Sequence, residues 1–210
     1  MATRNASSSR SSGSGSKNKI TAMLKADHKK VKKAFKDFEK LDPQEDPESC
    51  QALVSQTLAE IEVHAELEEQ LFYPAARGAI KEEDLIDEAE VEHMTAKVLI
   101  EQLKGMGPDD EKFAATFKVL GEYLNHHIQE EEGEMFPQLT QSGAEWDTVL
   151  EEMMAQREQL MEEKGMPAEG EESEARGAAR GASSGSGKRA GSESRPQASG
   201  KSSRSSSEKE

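Results

Sequence analysis

The chain has a single cysteine, Cys50, so no internal disulfide can form and a metal site built on several thiolates is excluded. It has no apolar stretch approaching the ~20 residues that a membrane-spanning helix needs. It does not start with the apolar segment of a secretory signal, and a soluble cytoplasmic protein is the default expectation. Cations are scarce: Lys and Arg number 27 against 42 Asp and Glu, a formal net charge of −15. A field of that sign disfavours nucleic acid as the main ligand. Hydrophobic residues make up 33% of the chain, too few for a large core if they were spread evenly.

They are not spread evenly. Residues 1–18 are rich in Ser, Gly, Lys and Arg, and residues 165–210 in Ser, Gly, Ala, Arg, Glu and Pro. Neither stretch buries enough apolar area to offset the entropy of ordering, and both read as disordered tails. With Lys19 counted in the first, they carry about +4 and +1, which leaves roughly −20 for the middle.

Between the tails the apolar residues recur with the 3.6-residue period of amphipathic helices, and no stretch reads as a strand. Five helices are expected, over about 19–41, 48–76, 82–104, 109–140 and 144–164. Pro43 and Pro47, then Gly78, then Gly105 to Pro108 punctuate them, with Asp109 as the expected N-cap of the fourth. The fold class that follows is all-α. Residues 19–142 form an up-down-up-down four-helix bundle, and 143–164 add a fifth, C-terminal helix.

The five histidines carry the chemical signal. Four of them fall on the apolar stripes, one per helix: His28 lies between Leu24 and Val31, His64 three after Ile61, His93 four after Ala89, and His127 three after Leu124. His64 and His127 are each followed at i+4 by a glutamate, Glu68 and Glu131, and residues four apart share a helix face. At 1.5 Å per residue, His28 and His64 both lie roughly 20–24 Å from the loop that joins their helices, so antiparallel neighbours bring them level. An unpartnered buried polar group costs roughly 1–3 kcal/mol, and a bare carboxylate more. Six of them in one layer rival the stability of a whole domain. Divalent metal offsets that cost, because neutral imidazole and carboxylate oxygen are good ligands for iron, manganese or zinc.

The pattern is also internally repeated. His64 to Pro74 (HAELEEQLFYP) parallels His127 to Pro137 (HIQEEEGEMFP), and Asp27-His28 parallels Glu92-His93. Two copies of a helix pair related by a pseudo-twofold axis would place a His-His-Glu set on each of two metals and let both glutamates bridge. His126 lies about 100° round the helix from His127 and has Glu130 at i+4. It reads as an exposed residue or an outer partner of the site, the other register making it the ligand.

These motifs, H…HxxxE…H…HxxxE with EE-x-x-[FM]-[YF]-P after each second element, resemble the haemerythrin-like (HHE cation-binding) family over residues 19–141. The resemblance implies a non-haem centre of two iron ions, oxo- or hydroxo-bridged, with manganese or zinc less favoured. It implies a small oxidant, dioxygen or a peroxide, as ligand or substrate. The implied metal ligands are His28, His64, Glu68, His93, His127 and Glu131. The chain departs from the oxygen-carrying members, which place two histidines four apart on the third helix. Here the second position is Lys97. Those proteins also have a last-helix carboxylate five after its histidine, which is Glu132 here, whereas the internal repeat favours Glu131. Water, another carboxylate or Tyr73 stands as a replacement for the lost ligand, although Tyr73 reads first as a packing residue at the bundle end. Glu69 and Glu132 read as partners that orient ligating imidazoles, or as solvated surface.

Several function classes remain open at this level. One is a peroxide-decomposing enzyme, and another a non-catalytic oxygen or redox sensor. A third is an iron-sequestering module, and a fourth a structural bundle. The chain is expected as a monomer or weak homo-oligomer. The ferritin-like carboxylate class is disfavoured, because its signature is Glu-x-x-His.

Overall fold

The computed structural model describes residues 12–140 and 144–167, and every regular element among them is helical. The expected tails lie outside the described residues except at their inner ends. Helix α1 spans Ser12–Phe38, so it begins seven residues inside the stretch read as a tail. The reason is anchoring: Lys17 Nζ donates to the Leu139 carbonyl at 2.7 Å and Ser16 Oγ to Asp147 at 2.5 Å.

The second rod is not one α-helix. It comprises α2 (Pro47–Leu67), a π-helical turn π1 (Glu68–Phe72) and α3 (Tyr73–Arg77). Asp46 caps its start by accepting from the Ser49 backbone N–H at 3.1 Å, with Pro47 at the first helical position. Helix α4 spans Asp84–Lys104. The next rod repeats the second, as α5 (Phe113–Glu130), π2 (Glu131–Met135) and α6 (Phe136–Gln138). The sequence expectation placed its start at Asp109. Lys112 holds the N-cap position instead, and the side chain of Asp110 accepts from the Lys112 N–H at 2.8 Å, closing a turn that delays the helix.

Helix α7 spans Trp146–Glu163. It stops because Gly165 takes φ +64°, the left-handed region, which lets the Met166 N–H reach back to the Met161 carbonyl at 2.8 Å. Helix α1 packs on α2, α5 and α7, and α4 packs on α2 and α5. None of the described helices is long and apolar enough to cross a membrane.

The buried apolar residues form two clusters rather than one. The first gathers Ile20, Leu24, Leu67, Phe72, Ile86 and Met135, together with Trp146, Met153 and Leu160 from α7. The second gathers Val31, Ile61, Ala96, Ile100, Phe117 and Leu124 with their neighbours. Each of the four rods that carry a buried histidine contributes to both clusters, with the histidine near the changeover, whereas α7 contributes only to the first. His28 separates Leu24 from Val31, His64 separates Ile61 from Leu67, and His93 separates Ala89 from Ala96. A polar layer therefore divides the core.

Candidate metal centre

All six sequence-derived ligand candidates meet in that layer. His28, His64, His93 and His127 are 2–7% exposed, and Glu68 and Glu131 at most 1%. The imidazoles pair by their Nε2 atoms, His28 with His64 at 3.1 Å and His93 with His127 at 3.1 Å. The glutamates lie between the pairs. Glu68 Oε2 is 3.1 Å from His64 Nε2 and 3.5 Å from His93 Nε2. Glu131 Oε2 is 3.2 Å from His28 Nε2 and 3.6 Å from His127 Nε2. Two ligand sets result, His28/His64/Glu68/Glu131 and Glu68/His93/His127, each with its donor atoms within 4.8 Å of one another.

These residues fit a metal pair. With metal–nitrogen bonds of about 2.1 Å, two ligands at tetrahedral or octahedral angles sit about 3.0–3.4 Å apart, which is the Nε2 spacing found in both pairs. Glu68 Oε1 and Glu131 Oε2 are buried with no hydrogen-bond partner. A buried carboxylate oxygen without a donor is costly, and a cation removes the cost.

The outer nitrogens fix which way the imidazoles present themselves. Every Nδ1 faces a carboxylate: His28 faces Glu132 at 2.9 Å, His64 faces Asp27 at 3.4 Å, His93 faces Glu69 at 3.0 Å and His127 faces Glu92 at 2.8 Å. An ionised carboxylate only accepts, so each Nδ1–H donates outward and Nε2 is the nitrogen turned inward, the one able to ligate once a cation displaces any proton on it. The internal repeat now has a physical cause. Asp27 and Glu92 precede one histidine and serve another, and Glu69 and Glu132 do the same from beside the inner glutamates. Each outer carboxylate in turn meets a basic side chain. Arg157 holds Asp27, Lys97 holds Glu69 at 2.6 Å, Lys32 approaches Glu132 at 3.8 Å and His126 approaches Glu92 at 3.8 Å.

Protonation follows from this enclosure. Burial pushes the His64 and His127 imidazoles down. For His64 the facing Glu68 and Asp27 override burial and hold it well above its usual value. For His127 the facing Glu131 and Glu92 do the same. Burial would raise the Glu131 carboxyl, but the charge of His127 and contact with His28 hold it below the ordinary carboxylate range.

Tyr73 belongs to the site. Its hydroxyl donates to Glu131 Oε1 at 2.9 Å and lies 3.4 Å from His93 Nε2 and 3.5 Å from Glu68 Oε2. Burial, with the Glu131 and Glu68 charges adding to it, pushes this phenol well above its usual value, so it keeps its proton. In an α-helix a residue five after Glu68 would point about 140° away from it. The π turn brings it back: the Tyr73 N–H bonds to the Glu68 carbonyl five residues earlier, and the Phe136 N–H bonds likewise to Glu131. Pro74 and Pro137 follow each turn and supply no N–H to an α-type bond. The periodicity of the sequence carries no mark of these turns beyond the two prolines. At the position equivalent to Tyr73, Phe136 stacks on His28 with ring centroids 6.1 Å apart. One side of the layer therefore faces a phenol and the other a phenyl ring.

His126 is 63% exposed and pairs with Glu130 at 3.2 Å, so it stands outside the layer, and His127 is the buried one. Lys97 does not reach the imidazoles; it is spent on Glu69. Glu69 and Glu132 each bond a histidine. Asp27, Glu92 and Arg157 were not singled out from sequence. The doublets Asp27-His28 and Glu92-His93 were the available signal for the first two, and nothing local marks Arg157.

A profile of the Hemerythrin HHE cation binding domain matches residues 19–139. A protein named DNA nickase from Nostoc sp. (strain PCC 7120) is 29% identical over 117 residues, 56% of this chain and 32% of that protein. The chain thus spans about a third of that relative's length. The crystal structure of a hemerythrin HHE cation binding domain-containing protein from Mycobacterium kansasii, the homologue of Rv2633c, superposes with a TM-score of 0.55 at 25% identity, covering 68% of this chain and 85% of that one.

Proposed function

This chain belongs to the hemerythrin HHE cation-binding family, and from that premise we propose that it is a non-haem di-iron protein that binds or reacts with dioxygen or a peroxide. The observation that carries this reading is the buried layer of four inward Nε2 atoms and two glutamates with unpartnered oxygens. His28 and His64 would hold one ion and His93 and His127 the other, with Glu68 and Glu131 shared. Bound iron would supply one-electron redox chemistry and a coordination position for a small oxidant. Imidazole and carboxylate without thiolate suit iron, and they also accept manganese or zinc.

The chain's own groups set the rest. The four outer carboxylates hold the imidazoles in the tautomer that ligates. Tyr73 keeps a proton 2.9 Å from Glu131 Oε1, ready to donate a hydrogen bond where oxygen charge develops. Lys97 replaces the second histidine of the third helix, so the His93/His127 side has one imidazole fewer than the oxygen carriers. We read the helical rods as an up-down-up-down bundle over 19–142, with α7 packed against it. The order in which each rod meets the two apolar clusters supports this. The name of the Nostoc protein describes an activity on DNA. The charge of −15 opposes a phosphate backbone, and DNA is not proposed as the substrate here.

Metal analysis of the purified protein, followed by its near-ultraviolet spectrum before and after air, tests the reading. An iron protein whose absorption there rises on exposure to air and falls with peroxide turnover supports it. Iron uptake with no response to air or peroxide supports the sequestration alternative. A protein that takes up only zinc, or nothing, overturns both.

A further inference from the structure

The imidazole layer does not face only protein. Its four histidines form one wall of a cavity of about 380 Å³. A dioxygen or hydrogen peroxide molecule is close in size to a water, whose share of liquid volume is about 30 Å³. The cavity is about ten times larger than such an oxidant needs, and it falls in the range that holds organic ligands, about 300–1,000 Å³.

Its walls are chemically divided. Next to the imidazoles they are apolar: Val31, Ile61, Ala96, Ile100, Leu124 and Ile128. The room exists because Ala65 follows His64 and Ala96 sits one turn after His93, where larger side chains would close the space. The mouth is charged, with Glu62, Glu66, Glu69 and Glu101 against Lys97 and Lys164. Both lysines are already engaged, Lys97 by Glu69 at 2.6 Å and Lys164 by Glu62 at 3.1 Å. Lys104 also pairs with Glu62 at 2.5 Å and Glu101 at 2.8 Å, so four glutamates meet three lysines; the mouth stays net acidic and disfavours an organic anion. A plain hydrocarbon would leave unused the coordination position that the di-iron reading puts at the inner, imidazole-lined end. A neutral molecule with an apolar body and one small oxygen head satisfies both ends.

We propose that this cavity is a binding site for an organic hydroperoxide, with an aryl or branched alkyl body of about a dozen heavy atoms or fewer, at about 30 Å³ each. The body lies against Ala96, Ile100 and Leu124, and the O–O–H end faces the imidazoles. The proposal deepens the di-iron reading and rests on it for the identity of the head group, while the cavity itself is testable without iron.

The test uses the full chain, metal-free and zinc-loaded, with cumyl alcohol as an unreactive stand-in for an aryl hydroperoxide. Binding is followed by methyl NMR. The expected result is saturable shifts in the methyls of Ile61, Ile100 and Leu124, with octanoate binding at least tenfold more weakly. Ala96→Leu and Ala65→Leu, which fill the cavity, should each weaken the alcohol at least tenfold while circular dichroism stays unchanged. If a filled variant does not fold, the wild-type shifts decide alone. Absent shifts, shifts scattered away from these methyls, or equal binding of octanoate would overturn the proposal. Failure to load any metal, with the methyl shifts intact, would instead count against the di-iron reading and leave the apolar site standing.

Discussion

Arg157 grips Asp27 with both ends of its guanidinium, 2.7 Å from Oδ2 and 2.6 Å from Oδ1, and the same Oδ2 lies 3.4 Å from Nδ1 of His64. Planar two-point contact of this kind fixes a carboxylate's orientation as well as its charge. Arg157 belongs to α7, which lies wholly beyond the family match at 19–139. The C-terminal helix therefore reaches the histidine layer through a chain of three side chains.

Arg157→Met removes that grip and frees Asp27 to turn from His64. Partners of ligating histidines are typically worth 10–100-fold in metal affinity, so a loss of about tenfold is expected, read by competition with a coloured chelator. Arg157→Lys should recover only part of it. Unchanged affinity in Arg157→Met would show that α7 contributes packing alone.

Tyr73→Phe deletes the hydrogen bond to Glu131 and leaves a buried carboxylate oxygen without its donor. A stability loss of about 1–3 kcal/mol is expected in the metal-free protein, measured by urea unfolding. The same change at Tyr123, which has no place in the layer, should leave the urea midpoint within error.

Gly121→Ala tests the packing of Phe35 of α1 against α5. A Cβ at Gly121 would sit 2.7 Å from Cδ1 of Phe35, and Phe35 is itself held against Phe117 with ring centroids 4.7 Å apart. Alanine gains up to about 1 kcal/mol in helix propensity, but forcing a methyl into packed space costs about 1–3 kcal/mol. The net expectation is a lower melting temperature. A rise would mean that the aromatic ring yields freely.

Acid acts on a surface feature at the end of α1. Hydrogen bonds from Lys33 and Lys40 hold the Asp37 carboxyl down, from the usual 3.8 to about 2. A depressed value in the folded state stabilises above the unfolded value, and the contribution disappears as pH falls from about 4 toward 2. Asp37→Asn should therefore flatten the pH dependence of stability in that window. The difference should shrink in 1 M salt, since the pair is exposed.

Much of this arrangement was written in the sequence, for a physical reason. His28, His64, His93 and His127 each interrupt an apolar stripe, and a helix of 3.6 residues per turn converts that spacing into a common direction. Glu68 and Glu131 were legible because i and i+4 share a face. The π turns were not, since they break the very period that reveals helices, and Tyr73 entered the layer only through one of them. Arg157 was illegible for another reason. Its partner Asp27 is 130 residues away, and no local rule links a basic residue on a C-terminal helix to an acid on the first. The start of the fourth rod went to Lys112 rather than Asp109 because an Asp-based turn at Asp110 intervened.

The central claim is tested most directly by titrating metal-free protein with ferrous iron under argon and counting ions per chain. Wild type should saturate at two, His126→Ala should also saturate at two, and His64→Ala at one or fewer. Saturation of the wild type at one or none, or two ions retained by His64→Ala, would contradict the shared site of four imidazoles and two glutamates.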